Sequence, residues 1–250
     1  MPEPAIEVAD LRKSFRATVA VDGVSFAVEP GSVVGVLGGN GAGKTTTIAM
    51  IMGLTLPTSG TVRVLGADMT RDRHRVLHRM NFESPYVDLP GRLTVRQNLS
   101  VFARLYGVAE RKGRIAELAD ALDLTGILDR PTGRLSAGQK TRVALAKSLV
   151  NRPEVLLLDE PTASLDPDTA DWIRRHLETY RRERGATILI ASHNMAEVER
   201  LCDRVIMMKE GRIVDDATPS DLLARYGRSN LEEVFLDVAR GTSALPQDAA

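Results

Sequence analysis

Residues 38–45, Gly38-Gly39-Asn40-Gly41-Ala42-Gly43-Lys44-Thr45, follow the spacing G-x-x-x-x-G-K-[ST]. Four glycines let successive N–H groups turn inward without Cβ clashes, which makes a concave anion site. Lys44 is then placed to reach β- and γ-phosphates, and the Thr45 hydroxyl to ligate Mg²⁺. Thr46 follows on the same turn and completes the candidate nucleotide contacts. Val33 to Leu37 reads as a buried strand feeding this loop. Lys44 to Leu54 reads as a helix whose N-terminus adds its dipole to the anion site.

Size and charge narrow what such a loop can serve. The chain has 250 residues, with Lys+Arg and Asp+Glu equal at 33 each. It is long enough for one large domain and has no net field favouring nucleic acid or anionic membrane. Apolar runs such as Val155 to Leu158 and Ile188 to Ala191 are too short to cross a bilayer. The N-terminus carries Glu3 and Glu7 and lacks an apolar signal core. Cys202 is the single cysteine, which excludes an internal disulfide and suits a reducing compartment. These features read as a soluble intracellular protein that reaches a membrane only through a partner.

The opening residues alternate as strands do: Ile6 and Val8, Val19 and Val21, then Val24, Phe26 and Val28. Phe15 lies among them, either as core or as a face for a stacked adenine. Thr61 to Leu65 reads as a further strand and Arg71 to Arg79 as a polar helix. His74 and His78, one turn apart there, read as a solvated face and not a metal site. Residues 81–92 look irregular, and Thr94-Val95-Arg96-Gln97 is a capping box opening a helix. From about 93 to 150 the pattern is nearly all helical, which marks a subdomain.

Val155 to Leu158 is apolar on both faces, as a central parallel strand should be, and ends in Asp159-Glu160. A helix over Asp171–Arg184 follows, and then the strand Thr187–Ala191, which ends at Ser192-His193. Val205 to Met208 and Arg212 to Val214 form a hairpin about Glu210-Gly211. Thr218 caps a helix with Pro219 at its first position. A last amphipathic helix carries Leu231, Val234, Phe235 and Val238. The tail from Gly241 has the composition of a frayed end.

Strands alternating with helices predict a doubly wound sheet that binds ligand at the carboxyl ends of its strands. Three such ends are decorated: the glycine-rich loop, Asp159-Glu160 and His193. Phosphoryl transfer to water needs a held metal, neutralised charge and an aimed water. Asp159 suits the metal beside Thr45, Glu160 the water, and His193 the γ-phosphate. Leu135-Ser136-Ala137-Gly138-Gln139-Lys140 precedes a helix over Thr141–Val150 and is either an ordinary cap or a second anion site. One chain has no evident need for two cradles around one triphosphate.

These motifs resemble the ATP-binding subunit of ABC transporters, over Ile6 to about Arg240. Lys44 falls in a Walker A motif and Val155 to Glu160 in a Walker B motif. Leu135 to Gln139 is similar to the LSGGQ signature, which simple P-loop kinases and GTPases lack. Ser164-Leu165-Asp166 looks like the D-loop, His193 the switch histidine and Phe15 the adenine-stacking aromatic. The fold implied is α/β: a P-loop NTPase (RecA-like) parallel-sheet core with an antiparallel β subdomain and an inserted α-helical subdomain. It would be a single ABC ATPase domain over 1–240. Core and β subdomain would take about 1–85 and 151–230, the helical subdomain about 86–150, and a flexible tail 241–250.

The resemblance further implies ATP and Mg²⁺ as ligands. Two copies would pair head to tail, with Ser136, Gly138 and Gln139 of one closing on the γ-phosphate held by the other. The pair would hydrolyse ATP to drive integral membrane permease subunits from the cytoplasmic face, with no nucleic-acid partner. Two departures stand out: Ala137 replaces the second signature glycine, and no glutamine occupies the Q-loop near Ser84-Pro85, where Glu83 or Ser84 could stand in. The run Asn230 to Leu236 resembles the ending of subunits serving drug, ion or polysaccharide exporters. The rival readings are a soluble ABC-type ATPase acting on ribosomes or DNA, and a small-molecule kinase. The kinase leaves the signature unexplained, and the interval before the signature is too short for the coiled coil of DNA-repair members.

Overall fold

The computed structural model describes residues 3–84, 89–162 and 165–240. In chain order these form β1 (Ile6–Phe15), β2 (Thr18–Val28), β3 (Val33–Gly38), α1 (Lys44–Ile51), β4 (Ser59–Val64), β5 (Ala67–Asp68), β6 (Met80–Glu83), α2 (Val95–Leu105) and α3 (Arg111–Ala121). There follow α4 (Ala137–Leu149), β7 (Val155–Asp159), α5 (Pro167–Arg184), β8 (Thr187–Ser192), α6 (Met195–Leu201), β9 (Arg204–Lys209), β10 (Arg212–Ala217), α7 (Pro219–Tyr226) and α8 (Leu231–Arg240). The chain divides into two compact units, 1–76 with 187–250, and 77–186.

In the first unit every residue of β3 is buried, as a strand covered on both faces must be. It lies between β8 and β9 and runs parallel to both, with Val36 opposite Ala191 on one side and Ile206 on the other. β10 returns antiparallel on β9. A second sheet, antiparallel in the order β2-β1-β4-β5, buries Ile6, Val8 and Leu11 of β1. The two sheets meet where the Asp22 N–H of β2 donates to the Gly211 carbonyl in the β9–β10 turn, at 2.8 Å. The mixed α/β architecture with parallel and antiparallel sheets matches the sequence expectation.

The second unit pairs β6 with β7 in parallel, from Met80 opposite Val155 to Glu83 opposite Leu158. Its helices α2, α3 and α4 bury Leu99, Ala103, Ile115, Leu118, Val143 and Ala146. The Thr94 capping box is present, with Gln97 N–H donating to the Thr94 hydroxyl. Arg114 of α3 is 7% exposed and donates to the carbonyls of Leu149 and Val150, the last of α4, while pairing with Glu117 at 2.7 Å. A guanidinium on those terminal carbonyls satisfies acceptors that the helix itself cannot.

Four elements differ from expectation: residues 81–83, expected to be irregular, belong to β6 because they pair in parallel with the buried strand β7. The polar helix over Arg71–Arg79 is two short 3₁₀ turns, Arg73–Arg75 and Leu77–Arg79. The Asp68 carboxylate takes the Thr70 and Arg71 N–H groups there, and Val76 is the only apolar residue the first turn buries, so no helical stripe forms. α4 starts at Ala137 instead of Thr141, and α5 at Pro167 instead of Asp171. Side-chain caps at Ser136 and Asp166 draw each helix one turn toward its N-terminus. The tail from Gly241 lies outside the described residues.

Arg114→Met keeps the apolar stem but strips the last α4 carbonyls of their donor. Chemical denaturation should show a loss of about 2–4 kcal/mol. An unchanged midpoint would mean that Arg114 does not hold this helix end.

Candidate active site

β3 delivers the chain into the loop 39–43 and α1 takes it away, as the glycine spacing requires. Ideal Cβ atoms at Gly39 and Gly41 would meet nothing within 4 Å, so the mouth of the loop is open. Its back is closed: a Cβ at Gly38 would lie 2.6 Å from the Met208 carbonyl oxygen. Gly43 has φ 101° and a would-be Cβ 2.6 Å from the Ala20 carbonyl oxygen, a place no other residue fits. The Gly211 N–H donates to the Ala42 carbonyl at 3.1 Å, bracing the loop against the β9–β10 turn.

Lys44 curls over the loop, donating to the carbonyls of Gly38 at 2.6 Å and Gly39 at 3.3 Å. Thr45 and Thr46 occupy the first turn of α1, with Thr45 exposed. No side chain caps α1, because its N-cap is Gly43. By contrast α2, α4, α5, α6 and α7 are capped by Thr94, Ser136, Asp166, Asn194 and Thr218. A glycine-capped N-terminus behind an open mouth offers its N–H groups and dipole to an anion. The residues present therefore fit a nucleotide polyphosphate.

Two further residues of the first unit converge on this loop. Leu37 pairs with Ser192, so the parallel register sets His193 beside Gly38, the residue that opens the loop. Ser192 fixes that end: its hydroxyl donates to Glu197 at 2.9 Å and accepts the Asn194 N–H at 3.0 Å. Phe15 closes the β1–β2 hairpin opposite Thr18, on the β2 strand whose Ala20 abuts Gly43. It is 49% exposed, which removes it from the core. The Lys13 ammonium lies 4.8 Å from the ring centroid.

The second unit carries the rest. Asp159 ends β7 and Glu160 follows with φ 56°; both are buried. That left-handed turn swings the chain away immediately after the strand and holds the carboxylate of Glu160 at its tip. Ser136 caps α4 in a full capping box, accepting the Gln139 N–H at 3.3 Å while Gln139 Oε1 accepts the Ser136 N–H at 3.1 Å. Accepting uses a lone pair only, so the Ser136 O–H can still donate to an anion. A Cβ at Gly138 would sit 3.4 Å from Thr169 Oγ1, on the first turn of α5. Thr169 donates from its N–H and hydroxyl to Asp166, and these bonds hold the Asp166 carboxyl below the usual range. The sequence pattern gave no hint of Thr169, because it is contact between two helix N-termini that brings it to Gly138. Ser164 of the D-loop lies outside the described residues.

Comparison with known proteins decides the family. The model of the ABC transporter family matches residues 21–163. The chain belongs to the ABC transporter family. It is 40% identical to Nod factor export ATP-binding protein I of Paraburkholderia xenovorans (strain LB400) over 237 residues, covering 94% of this chain and 78% of that protein. It is 39% identical to the probable multidrug ABC transporter ATP-binding protein YbhF of Escherichia coli (strain K12), covering 94% of this chain and 42% of that protein. Among solved structures, cbiO1 from Clostridium perfringens, part of the ABC transporter complex cbiONQ, aligns with a TM-score of 0.81 and 31% identity over 96% of this chain and 98% of that one. The chain is accordingly an ATP-binding ABC ATPase with the P-loop NTPase fold, and none of these relatives points to ribosomes or DNA.

Glu83, the last residue of β6, is buried and pairs with Lys147 of α4 at 2.6 Å. Burial pushes its carboxyl up, against the opposing pull of Lys147.

Gly43→Ala forces a Cβ into the Ala20 carbonyl and a left-handed backbone on alanine, costing about 1–2 kcal/mol or more. Titration with a fluorescent ATP analogue should show affinity reduced about tenfold or more. Wild-type affinity would contradict the closed back of the loop.

Proposed function

We propose that this ABC ATPase is the ATP-binding subunit of an exporter, acting as a head-to-tail pair beneath a separate transmembrane permease. The name of the Nod factor export relative supports export, and the run Asn230 to Leu236 agrees with it. Among the described residues no helix is long and apolar enough to cross a membrane. The subunit would then sit at the inner face of the cell membrane, held there by the permease.

The observation that carries this reading is the pairing of two different helix N-termini in one chain. α1 is capped by glycine alone and cradles phosphate, while α4 presents a serine that is already self-satisfied and still able to donate. In a head-to-tail pair Ser136, Gly138 and Gln139 would close on the γ-phosphate lying on the partner's Gly38–Thr46 loop. Lys44 would bridge the β- and γ-phosphates and Phe15 would stack on adenine. Thr45 and Asp159 would hold Mg²⁺, which when bound supplies neutralising charge. Glu160 would orient the attacking water and accept its proton, with His193 bonded to the γ-phosphate. ATP would bind the closed pair more tightly than the open one and shift the equilibrium by that difference.

Glu160→Gln should lower hydrolysis about 10²-fold or more while leaving ATP affinity nearly unchanged. A nucleotide-bound pair should then accumulate on size exclusion, and wild-type turnover would remove Glu160 from its role. Lys44→Ala should instead weaken nucleotide binding itself. Affinity purification from membranes should bring down an integral membrane permease; recovery of ribosomes instead would overturn the transport reading.

A further inference from the structure

The mechanism above leaves one buried charge pair without a task. Glu83 and Lys147 are 8% and 7% exposed, and neither has a part in the nucleotide contacts proposed above. Burying two charges is expensive, and apolar residues of similar size would hold β6 and α4 together as well. What an ion pair adds is direction: the ammonium must meet fixed acceptors at fixed distances, where apolar packing tolerates sliding.

The acceptors are fixed here. Lys147 Nζ donates to the Phe82 carbonyl at 2.8 Å as well as pairing with Glu83 at 2.6 Å, and it lies 5.9 Å from the Phe102 ring centroid. Asn81 reaches back from β6 to the Lys147 carbonyl at 3.3 Å and to Asn151 at 2.7 Å. Asn151 in turn donates to the carbonyls of His78 and Met80. The C-terminal end of α4 is therefore tied to consecutive residues of β6, while Arg114 holds its last carbonyls. Ser136 sits at the other end of the same rigid helix. A helix tied at its C-terminal end carries that constraint along its length to the Ser136 end, where Gly138 also meets Thr169 of α5.

We propose that the Glu83–Lys147 pair is a positioning device for the Ser136 cap, fixing the angle at which α4 presents it. This rests on the role given to Ser136 above. Neither residue touches nucleotide; each acts through the helix. A misplacement of about 1 Å at a reacting group can cost on the order of 10²-fold in rate, so a modest tilt is enough to matter.

The test compares the full-length protein with Glu83→Met, Lys147→Met and the double variant. Each single variant leaves one buried charge unpaired and should lower the Tm, whereas the double variant should regain it. A merely structural pair would regain turnover together with Tm. A positioning pair predicts a double variant with wild-type Tm, wild-type affinity for a fluorescent ATP analogue and kcat reduced about tenfold. A double variant with both Tm and kcat of wild type overturns the proposal. If the double variant does not fold, Glu83→Gln, which keeps shape and acceptor but removes charge, decides in the same way: kcat reduced about tenfold with Tm unchanged supports the proposal, and kcat that is unchanged, or falls only together with Tm, overturns it. Ser136→Ala in the same assay separates the two levels. Wild-type kcat there refutes the role of Ser136 itself; a slow Ser136→Ala beside an unaffected double variant refutes only the clamp.

Discussion

The structure depends on how the N-termini of its helices are satisfied. Every α-helix begins with N–H groups that have no partner in the helix. Among the described helices α3 also lacks a side-chain cap, but two arrangements matter for the site. At Thr94, Ser136, Asp166, Asn194 and Thr218 a side chain supplies the acceptor, and the helix closes on itself. At Gly43 no side chain does, and the loop before it is closed behind and open in front. A polyphosphate is the natural completion of that end, and the neighbouring elements are arranged around it. β3 aims the loop, β8 brings His193 alongside by register, and the β9–β10 turn braces it through Gly211 and Ala42.

The same constraint accounts for the division of labour between the two units. The first holds the phosphate cradle, the histidine and the exposed aromatic ring. The second carries the paired carboxylates at the end of β7 and the serine cap of α4, both fixed by local backbone geometry: a left-handed Glu160 and a reciprocal capping box. Each unit is well determined internally, through Arg204 with Asp216 and Ala27 in one, and Arg114, Lys147 and Asn81 in the other.

Much of this was legible in the sequence wherever a single residue type meets a single physical demand. Glycines at positions 38 and 43 are required by backbone approach and by φ, so the loop could be placed to the residue. Thr94 with Gln97 announced its helix. Ser136 with Gln139 has the same spacing and does the same thing, so α4 begins at Ala137, four residues before the expected Thr141. The polar stretch after Asp68 misled for the opposite reason: its pattern allowed a helix, but its first N–H groups were taken by a side chain and nothing apolar rewarded the turn. The Glu83–Lys147 tie was out of reach altogether. Lys147 and its Phe82 acceptor lie 65 residues apart, and no local pattern reports which buried cation will meet which strand end.

Completeness only in pairs is the central physical claim, and protein concentration addresses it directly. Specific ATPase activity should be measured at saturating ATP across a wide range of protein concentration, with sedimentation velocity on the same samples. A shared site predicts activity that rises as the monomer is titrated into dimer and levels off when dimer is complete. Specific activity that stays constant and full where sedimentation shows only monomer would contradict it.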